Sequence, residues 1–452
     1  MTKYYHLIGI GGIGVGTLAL LFLDNGISIS GSDLADNDMT RLLRDRGAKI
    51  FIGHLAENIS NPDCVICSSA ISQDNPEIIE AKKKKILIKK RGQALAELVE
   101  EKETIIIAGA HGKTTTSALV AHILSIAGLD PAAAIGGVVK TGQYSSLCGK
   151  GKHFVAEADE SDGSFLYFHP KQAIITNADF EHVDFYKNLE NLIDAYKKFI
   201  SQIHENGSLF YCGDDKTLNQ LAQEFKGSKT SYGLDSSNDI FADEIISNGF
   251  KTKFCYHGKE QDSFEFELNI PGYHNILNAL GAIGMSLSLG VSVENIKKSL
   301  ETFQGVERRF SWHGDFKGVC VVDDYAHHPK EIAVTLKAAK NFKKKRVVVV
   351  FQPHRFSRTS HFKDEFVDVL QNCDQLIITD IYSASEKPQG QISASMICDE
   401  ISQKRENFAV YQEYDCIVDY LLENSVEGDF VLFLGAGNIN RLAKKLSEQL
   451  AG

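Results

Sequence analysis

Apolar residues recur along this chain in short runs that alternate with amphipathic segments, which predicts strands separated by helices. The first run, Tyr4–Ile10, is followed by a glycine loop and by a helical segment over Val15–Asn25. Another run, Ile105–Ile107, precedes a second glycine loop and a helix whose apolar residues repeat at helical spacing as far as Gly128. Such alternation is typical of α/β domains built on a mostly parallel sheet.

The same pattern continues along the chain of 452 residues, which is too long for a single core. Further strands are predicted at Ser28–Ser32, Lys49–Ile52, Cys64–Ser68, Ile86–Lys89, Phe154–Ala156, Ala173–Thr176, Ser208–Tyr211, Val319–Val322, Arg346–Phe351, Leu376–Thr379 and Phe430–Leu434. Helices are predicted at Asn275–Leu289, Lys330–Asn341 and Lys363–Gln371. We therefore predict three α/β domains: a Rossmann-like domain over 1–101, a domain with the second glycine loop over 102–311, and a second Rossmann-like domain over 312–452.

The second glycine loop has the residues expected of a polyphosphate site. Gly109 and Gly112 allow backbone N–H groups to approach oxygens, and the helix that follows has a partial positive charge at its N-terminus. Lys113 adds a full positive charge, and the Thr114 hydroxyl is a suitable ligand for Mg²⁺. Only two residues separate the two glycines, where the general phosphate-loop pattern has four.

The first glycine loop has the spacing of a dinucleotide-binding turn. Gly9, Gly11 and Gly14 follow a predicted strand and open a helix, and Asp33 ends the next strand. The pattern indicates a diphosphate at a helix N-terminus, which a UDP group satisfies as well as a nicotinamide cofactor does. The alternative is a tight strand-to-helix turn that binds no ligand.

Two acidic segments follow apolar strands of the middle region. Glu157 begins the first segment, at the position where a Mg²⁺ ligand is expected beside a phosphate loop. His182 lies in the second segment among Asp179, Glu181 and Asp184. The alternatives are a solvated acidic turn for the first segment and a hydrogen-bonded surface histidine for the second, since Mg²⁺ prefers oxygen ligands.

Two further polar clusters have residues at helical spacing. Asn275 and Asn278 share one helix face and suit the edge of a purine, although Asn275 is equally suited to cap its helix. Arg355 and Arg358 follow an apolar strand and suit a small carboxylate.

Composition excludes several classes of partner. The net charge of −11 argues against nucleic acid and against an anionic membrane surface. The longest apolar run, Leu18–Leu23, is too short to span a bilayer, and we expect no signal peptide and no membrane insertion. The nine cysteines form no framework of paired spacings, which favours a reduced, cytoplasmic protein. Oligomeric state is open between monomer and homodimer.

Taken together, these motifs resemble the Mur ligase family over essentially the whole chain. The segments that carry the resemblance are Gly9–Gly16, Ser30–Asp33, Ser68–Glu77, Ala108–Thr116, Glu157–Phe165, Glu181–Tyr186, Tyr273–Ala279, Glu307–Phe310, Asp323–Pro329 and Phe351–Thr359. The shortened phosphate loop is itself a mark of this family.

The resemblance implies an N-terminal UDP-sugar domain, a central ATPase domain and a C-terminal domain that binds an amino acid. It implies an ATP- and Mg²⁺-dependent enzyme that joins L-alanine to UDP-N-acetylmuramate through an acyl phosphate. By the same resemblance, the residues that hold the UDP-sugar are Gly11, Gly12, Ile13, Gly14, Asp33 and Ser69.

The remaining site residues are also implied by the resemblance. Those at ATP are Gly109, Ala110, His111, Gly112, Lys113, Thr114, Thr115, Asn275, Asn278, Arg309 and Asp324. The metal ligands are Thr114, Glu157 and His182. The alanine pocket consists of His327, His354, Arg355 and Arg358, and the catalytic group of Lys113, Glu157, His182 and His327.

Two departures from the family pattern stand out. Ala110 replaces a threonine of the loop, which removes a hydroxyl but no backbone donor. Tyr196 occupies the place of the lysine that several relatives carry in carbamylated form, with Lys197 adjacent. The alternatives for function are a recycling ligase that attaches a tripeptide to the same sugar nucleotide, a nicotinamide-dependent oxidoreductase, and a nucleotide-binding regulator without catalysis.

Overall fold

The computed structural model describes residues 3–68, 70–180, 183–259, 262–384, 386–388, 392–406 and 408–452, and only the backbone of 183 and 184. These residues form three sheets. The chain divides into two compact units. The first unit is Met1–Ile245, Lys253–Leu268 and Asn275–Gln304, and the second is Ile246–Thr252, Asn269–His274 and Gly305–Gly452.

The first sheet is parallel and has the strand order β3-β2-β1-β4-β5. Its strands are β1 (Tyr4–Ile8), β2 (Ser28–Asp33), β3 (Lys49–Ile52), β4 (Cys64–Cys67) and β5 (Leu87–Lys90). The helices of this region are α1 (Ile13–Asp24), α2 (Asp38–Asp45), α3 (Pro76–Lys83) and α4 (Arg91–Val99). Strand order reverses at β1, and ligands bind at such a point, beyond the carboxyl ends of the strands. The first glycine loop follows β1 there.

The second sheet has ten strands in the order β15-β14-β13-β12-β11-β10-β6-β9-β7-β8. The strands are β6 (Glu103–Ala108), β7 (Ala132–Val139), β8 (Tyr144–Cys148), β9 (His153–Glu157), β10 (Gln172–Ile175), β11 (Ser208–Cys212), β12 (Ser228–Gly233), β13 (Ile240–Asn248), β14 (Lys251–His257) and β15 (Ser263–Leu268). The helices are α5 (Lys113–Ile126), α6 (Val183–Tyr186), α7 (Leu189–Ser201), α8 (Lys216–Ala222), α9 (Tyr273–Ser288) and α10 (Val293–Thr302). Strand β6 lies between β9 and β10, so the phosphate loop also follows a strand at which the order reverses.

The third sheet belongs to the second unit and has the order β16-β17-β21-β18-β19-β20. Its strands are β16 (Ser311–Phe316), β17 (Val319–Asp324), β18 (Arg346–Phe351), β19 (Gln375–Ile378), β20 (Ala409–Tyr411) and β21 (Asp429–Leu434). Its helices are α11 (Pro329–Lys340), α12 (Phe356–His361), α13 (Lys363–Leu370), α14 (Ala394–Lys404), α15 (Ile417–Asn424) and α16 (Asn440–Ala451). Val349 and Val350 lie in apolar clusters on opposite faces of the sheet, as expected of a parallel sheet buried on both sides.

The structure confirms the predicted fold class of three α/β domains with mostly parallel sheets. Each strand and helix predicted from the sequence has ends within two residues of an observed element. The first strand was expected to reach Ile10, but it ends at Ile8 because Gly9, at φ 79°, turns the chain. The three domain boundaries stay a prediction. Among the described residues, no helix is long and apolar enough to cross a membrane.

Candidate active site

The phosphate loop connects β6 to α5 through two glycines in the left-handed backbone region. Gly109 has φ 128° and Gly112 has φ 81°, values that L side chains rarely adopt. A Cβ atom on Gly109 would overlap the Thr176 hydroxyl, and one on Gly112 would overlap Oδ1 of Asn278. Both positions therefore require glycine for conformation and for space.

Asn177, which follows β10, fixes the tip of this loop. Its Oδ1 accepts a hydrogen bond from the backbone N–H of His111 at 3.0 Å, and its Nδ2 donates to the backbone carbonyl of His111 at 3.0 Å. The Thr176 hydroxyl donates to the same carbonyl. This neighbouring strand end therefore holds the loop in shape.

Lys113 is held by carboxylates at the start of α5. Its Nζ lies 2.8 Å from Oε2 of Glu160, whose side chain is 1% exposed, and it also donates to the carbonyls of Gly109 and Ala110. Burial alone would lower the pKa of the Lys113 ammonium, but Glu160 and Asp159 outweigh burial and hold that pKa above its usual value. Burial likewise opposes ionisation of Asp159, yet Lys113 keeps the pKa of Asp159 below its usual value. Lys113 is therefore a fixed positive charge.

Glu157 and Thr114 meet in the first turn of α5. The Thr114 hydroxyl donates to Oε2 of Glu157 at 3.1 Å, and the Ser117 hydroxyl donates to Oε1 at 2.9 Å. The backbone N–H of Gly136 donates to the same Oε1 at 2.7 Å. The result is a small cluster of hydroxyl and carboxylate oxygens next to the helix N-terminus.

The first glycine loop is braced by the residue that the sequence pattern pairs with it. The backbone N–H of Gly11 donates to Oδ2 of Asp33 at 2.8 Å, and Nδ2 of Asn37 donates to the Gly11 carbonyl at 3.2 Å. Helix α1 begins after Gly12, no side chain of the described residues caps it, and its first turn has no acidic residue. Its positive end is therefore oriented as an anion site requires.

A cavity of about 280 Å³ in the first unit has residues of both glycine loops in its wall. Lys113, Glu157 and Asp159 line it from the phosphate-loop side. Gly14 of α1 and Arg91 of α4 line it from the other side, and a Cβ on Gly14 would lie 3.2 Å from Cδ of Arg91. This single cavity therefore adjoins the phosphate loop, the N-terminus of α1 and the guanidinium of Arg91.

Arg91 and Glu160 are site residues that the sequence analysis missed. Arg91 begins α4 immediately after β5, and the carboxyl end of that parallel strand was the available signal. Glu160 was visible in an acidic segment, but its ion pair with Lys113 depends on tertiary structure.

The two asparagines of α9 form a hydrogen-bonded pair, of which Asn278 lies against the phosphate loop. Asn275 and Asn278 are each 6% exposed, and Nδ2 of Asn278 donates to Oδ1 of Asn275 at 3.2 Å. Asn278 is also the residue that restricts the space at Gly112. The structure thus brings Asn278 to the loop with Asn275 hydrogen-bonded to it, and the contact of both residues with adenine stays a prediction.

Three of the four residues predicted for the amino acid form one cluster in the second unit. Nδ1 of His354 lies 3.1 Å from Nη1 of Arg358, and the ring centroids of His354 and His327 are 5.8 Å apart. Burial, with the charge of Arg358 and that of His327 in its protonated form, lowers the pKa of His354 to about 3, so Nδ1 accepts from the guanidinium. Arg355 is exposed at the N-cap of α12, with φ 67°.

Arg309 and Asp324 also belong to the second unit. The guanidinium of Arg309 lies 5.1 Å from the ring centroid of Tyr325. Asp324 accepts backbone N–H groups from Phe310 and Ala326, each at 2.7 Å, and burial raises its pKa to about 6 despite the opposing charge of Arg309. Asp324 therefore braces its own loop, and the predicted contact of both residues with ATP stays a prediction.

The structure also shows where most of the remaining predicted site residues lie. His182 and Ser69 lie outside the described residues. Thr115 is buried in the first turn of α5, and Ile13 lines the cavity beside Gly14.

The buried Tyr196 donates to the carbonyl of Asn177 at 3.4 Å, whereas Lys197 pairs with Glu224 at the surface. Of these two neighbours, Tyr196 is therefore the one that reaches the strand end beside the phosphate loop.

Three family models match successive parts of the chain. The model described as Mur ligase family, catalytic domain, matches residues 4–103. The Mur ligase middle domain matches residues 107–286, and the model described as Mur ligase, glutamate ligase domain, matches residues 308–437. Each match contains most of the strands of one of the three sheets.

Individual proteins resemble the chain over nearly its full length. The UDP-N-acetylmuramate–L-alanine ligase of Trichlorobacter lovleyi is 43% identical over 448 residues, which are 98% of each chain. The crystal structure of the corresponding ligase from Thermotoga maritima superposes with a TM-score of 0.86, with 30% identity and 99% coverage of both chains. A murein peptide ligase from Psychrobacter arcticus has a TM-score of 0.75 at 24% identity, with coverage of 100% of this chain and 99% of that one, and shows the shared fold.

The fold and the site define a three-domain α/β protein with a phosphate-binding loop in its middle domain. The sequence identity of the relatives, and the share of the chain that they cover, narrow this class to one family. The chain belongs to the Mur ligase family.

Proposed function

We propose that this protein is an ATP-dependent ligase that joins L-alanine to the lactyl carboxylate of UDP-N-acetylmuramate. The products are ADP, phosphate and UDP-N-acetylmuramoyl-L-alanine, a precursor of peptidoglycan. The observation that carries the proposal is the cavity in which Lys113 and Glu157 face Gly14 and Arg91. The relatives named for this reaction, at about 40% identity over the whole chain, support the choice of substrates.

The chemistry explains why a phosphate loop is needed. A carboxylate is a poor electrophile, so one of its oxygens first attacks the γ-phosphorus of ATP and the bond to the ADP oxygen breaks. The alanine amine then attacks the acyl carbon, and phosphate leaves as the amide forms. Phosphoryl transfer of this kind depends mainly on positioning and on electrostatic stabilisation. Lys113 supplies a permanent charge for the transferring group.

The oxygen cluster at Thr114 and Glu157 fits Mg²⁺. Both groups offer oxygen atoms, which this ion prefers, and they lie 3.1 Å apart beside the loop that would hold the phosphates. Bound there, Mg²⁺ would neutralise negative charge on phosphate oxygens. His182, the third predicted ligand, stays a proposal from the resemblance.

Residues on the first sheet suit the sugar nucleotide. The N-terminus of α1 and Arg91 offer positive charge for its diphosphate or its carboxylate, and Asp33 keeps the loop in the shape that exposes that helix end. We assign Gly11–Gly14 to the diphosphate and Arg91 to the side of the cavity that faces Lys113.

The histidine and arginine cluster suits the amino acid. Arg358 offers a fork of donors for the alanine carboxylate, and neutral His354 keeps that fork oriented. Nδ1 of His327 lies 3.0 Å from the carbonyl oxygen of Tyr325 and 3.2 Å from Oε2 of Glu331. This arrangement favours the proton on Nδ1, which makes Nε2 the basic nitrogen for the proton of the amine.

We place the reaction in the cytoplasm, which supplies ATP. All nine cysteines lie within the described residues and are unpaired, as a reducing compartment allows.

The test is phosphate release from the purified chain with ATP, Mg²⁺, UDP-N-acetylmuramate and each amino acid in turn. We expect release with L-alanine, and no release from the Lys113→Ala variant. Release with a tripeptide but not with alanine would instead establish the recycling ligase. ATP binding without any amide product would establish a regulator and refute the proposal.

A further inference from the structure

A second group of chemically reactive side chains lies on the outer face of the ten-stranded sheet. Strands β13, β14 and β15 are neighbours at one end of that sheet. Along β14, Phe254 and Tyr256 are buried, whereas Cys255 and His257 alternate with them and are partly exposed. Successive side chains of a strand point to opposite faces, so Cys255 and His257 share the outer one.

Asp243 of β13 completes this group. Its Oδ1 lies 2.8 Å from Nε2 of His257, and one ligand atom from each of Asp243, Cys255 and His257 lies within 4.8 Å of the other two. The thiol of Cys255 lies 3.1 Å from the hydroxyl of Ser263 on β15. The three side chains therefore converge on one point from two adjacent strands.

The imidazole of this group has a fixed plane. Its ring stacks on Phe241, with centroids 4.5 Å apart and an interplanar angle of 16°. Phe241 is two residues before Asp243 on the same strand, so β13 supplies both a carboxylate and the support for the ring. An imidazole that is oriented in this way loses little side-chain entropy when it binds a metal ion.

We propose that Asp243, Cys255 and His257 form a binding site for a divalent cation of the zinc class. Thiolate, imidazole and carboxylate are the ligands that Zn²⁺ takes, whereas Mg²⁺ and Ca²⁺ prefer sites made of oxygen. Tetrahedral zinc holds its ligand atoms about 3.4–3.6 Å apart, by the usual bond lengths. Small rotations of partly exposed side chains bring the three atoms to that spacing, and water supplies the fourth ligand.

This site is separate from the proposed active site. Strand β13 is four positions from β6 in the sheet, which corresponds to about 19 Å at the usual strand spacing. The cation at this face is therefore not the one proposed at Thr114 and Glu157, and the two sites differ in ligand chemistry.

Cobalt(II) is the probe for the test, because thiolate ligation of this ion produces a near-ultraviolet charge-transfer band. The full chain, with Mg²⁺ in excess to occupy oxygen sites, is titrated with Co²⁺. We expect a thiolate band that saturates at one equivalent and disappears when Zn²⁺ is added. Cys255→Ser should abolish the band, and His257→Asn should weaken Co²⁺ binding at least tenfold.

Cys148→Ser is the matched control, since Cys148 is an exposed cysteine of the same unit and should leave the titration unchanged. Circular dichroism and ligase turnover with Mg²⁺-ATP should match the unmodified protein in each variant, which shows that the variants fold. The proposal is overturned if the unmodified chain gives no thiolate band at saturating Co²⁺, or if the band survives in Cys255→Ser.

Discussion

At the scale of single residues, the ion pair with Glu160 keeps the Lys113 ammonium of the phosphate loop protonated. Glu160 is almost fully buried, and its carboxylate is the partner that raises the pKa of Lys113 most. A buried charge without a partner is costly, so Glu160 keeps Lys113 both ionised and directed at the loop. Glu160 is thus a positioning residue, because it acts through the lysine.

Glu160→Gln tests this role, since it keeps the shape of the side chain and removes its charge. We expect kcat to fall about tenfold or more, which corresponds to about 1.4 kcal/mol of transition-state stabilisation. The pKa of Lys113 should also fall, so activity at alkaline pH should be lost at a lower pH than in the unmodified protein. The measurement is kcat between pH 7 and 10.5.

Asp162→Asn is the control for that experiment. Asp162 lies in the same acidic segment, but its Oδ1 accepts the backbone N–H of Ser164. In Asp162→Asn, kcat should decline at the same alkaline pH as in the unmodified protein. An unchanged alkaline limit in Glu160→Gln would contradict the role assigned to Glu160.

Arg91 is the second residue whose role comes from the structure. Because it lines the cavity beside Gly14, Arg91→Ala should raise the KM for UDP-N-acetylmuramate about tenfold or more, since hydrogen bonds to charged groups contribute about 1.5–3 kcal/mol. The KM for ATP should change less than threefold, and Arg91→Lys should restore part of the affinity. The exposed neighbour Lys90 provides the control as Lys90→Ala. Equal KM values for the sugar nucleotide in Arg91→Ala and Lys90→Ala would argue against this assignment.

At the scale of elements, helix α5 offers a matched pair of glycines. Gly112 before its first turn and Gly128 after its last both have positive φ, at 81° and 75°. A Cβ on Gly128 meets no atom of the described residues within 4 Å, whereas one on Gly112 overlaps Asn278. Gly112→Ala should therefore abolish detectable ATP binding in calorimetry, whereas Gly128→Ala should keep it and lose only about 1 kcal/mol of stability to backbone strain. Retained affinity in Gly112→Ala would show that the loop tolerates the displacement of Asn278.

Elements with strong local signals were predictable from the sequence. The strand, glycine loop and helix around Lys113 have periodicity, glycines and charge in one segment, and the structure has each of them in place. Strand β7 was missed, because five of the eight residues of Ala132–Val139 are alanine or glycine, which carry weak strand preference. Its antiparallel pairing with β8 and its parallel pairing with β9 make it a strand.

Site residues were likewise predictable only where the signal is local in the sequence. Asp33 was predictable because its distance from Gly9 along the chain is set by one βαβ unit. The strand end before Arg91 and the acidic segment around Glu160 were visible, but the contacts of these two residues were not. Their partners Gly14 and Lys113 lie 77 and 47 residues away along the chain and meet them only through sheet order. Long-range pairs of this kind leave no periodic signal in a single sequence.

At the scale of the whole molecule, the two chemical steps of the proposed reaction depend on residues in different compact units. Lys113, Glu157 and Arg91, which we assign to carboxylate activation, belong to the first unit. Arg358 and His354, which we assign to alanine, belong to the second. The two steps should therefore be separable by substitution.

Arg358→Ala should impair capture of the acyl phosphate by alanine without impairing its formation. We expect the KM for alanine to rise about 100-fold, since a bidentate carboxylate contact contributes about 3 kcal/mol. Hydroxylamine needs no carboxylate contact and traps acyl phosphates as hydroxamates. ADP formation driven by hydroxylamine with UDP-N-acetylmuramate should therefore stay within threefold of the unmodified rate.

Lys113→Ala should lose both activities, and the exposed Arg441 supplies a control as Arg441→Ala. If Arg358→Ala loses the hydroxylamine reaction to the same extent as the alanine reaction, the division of labour between the units is wrong, because Arg358 would then be needed for phosphoryl transfer itself.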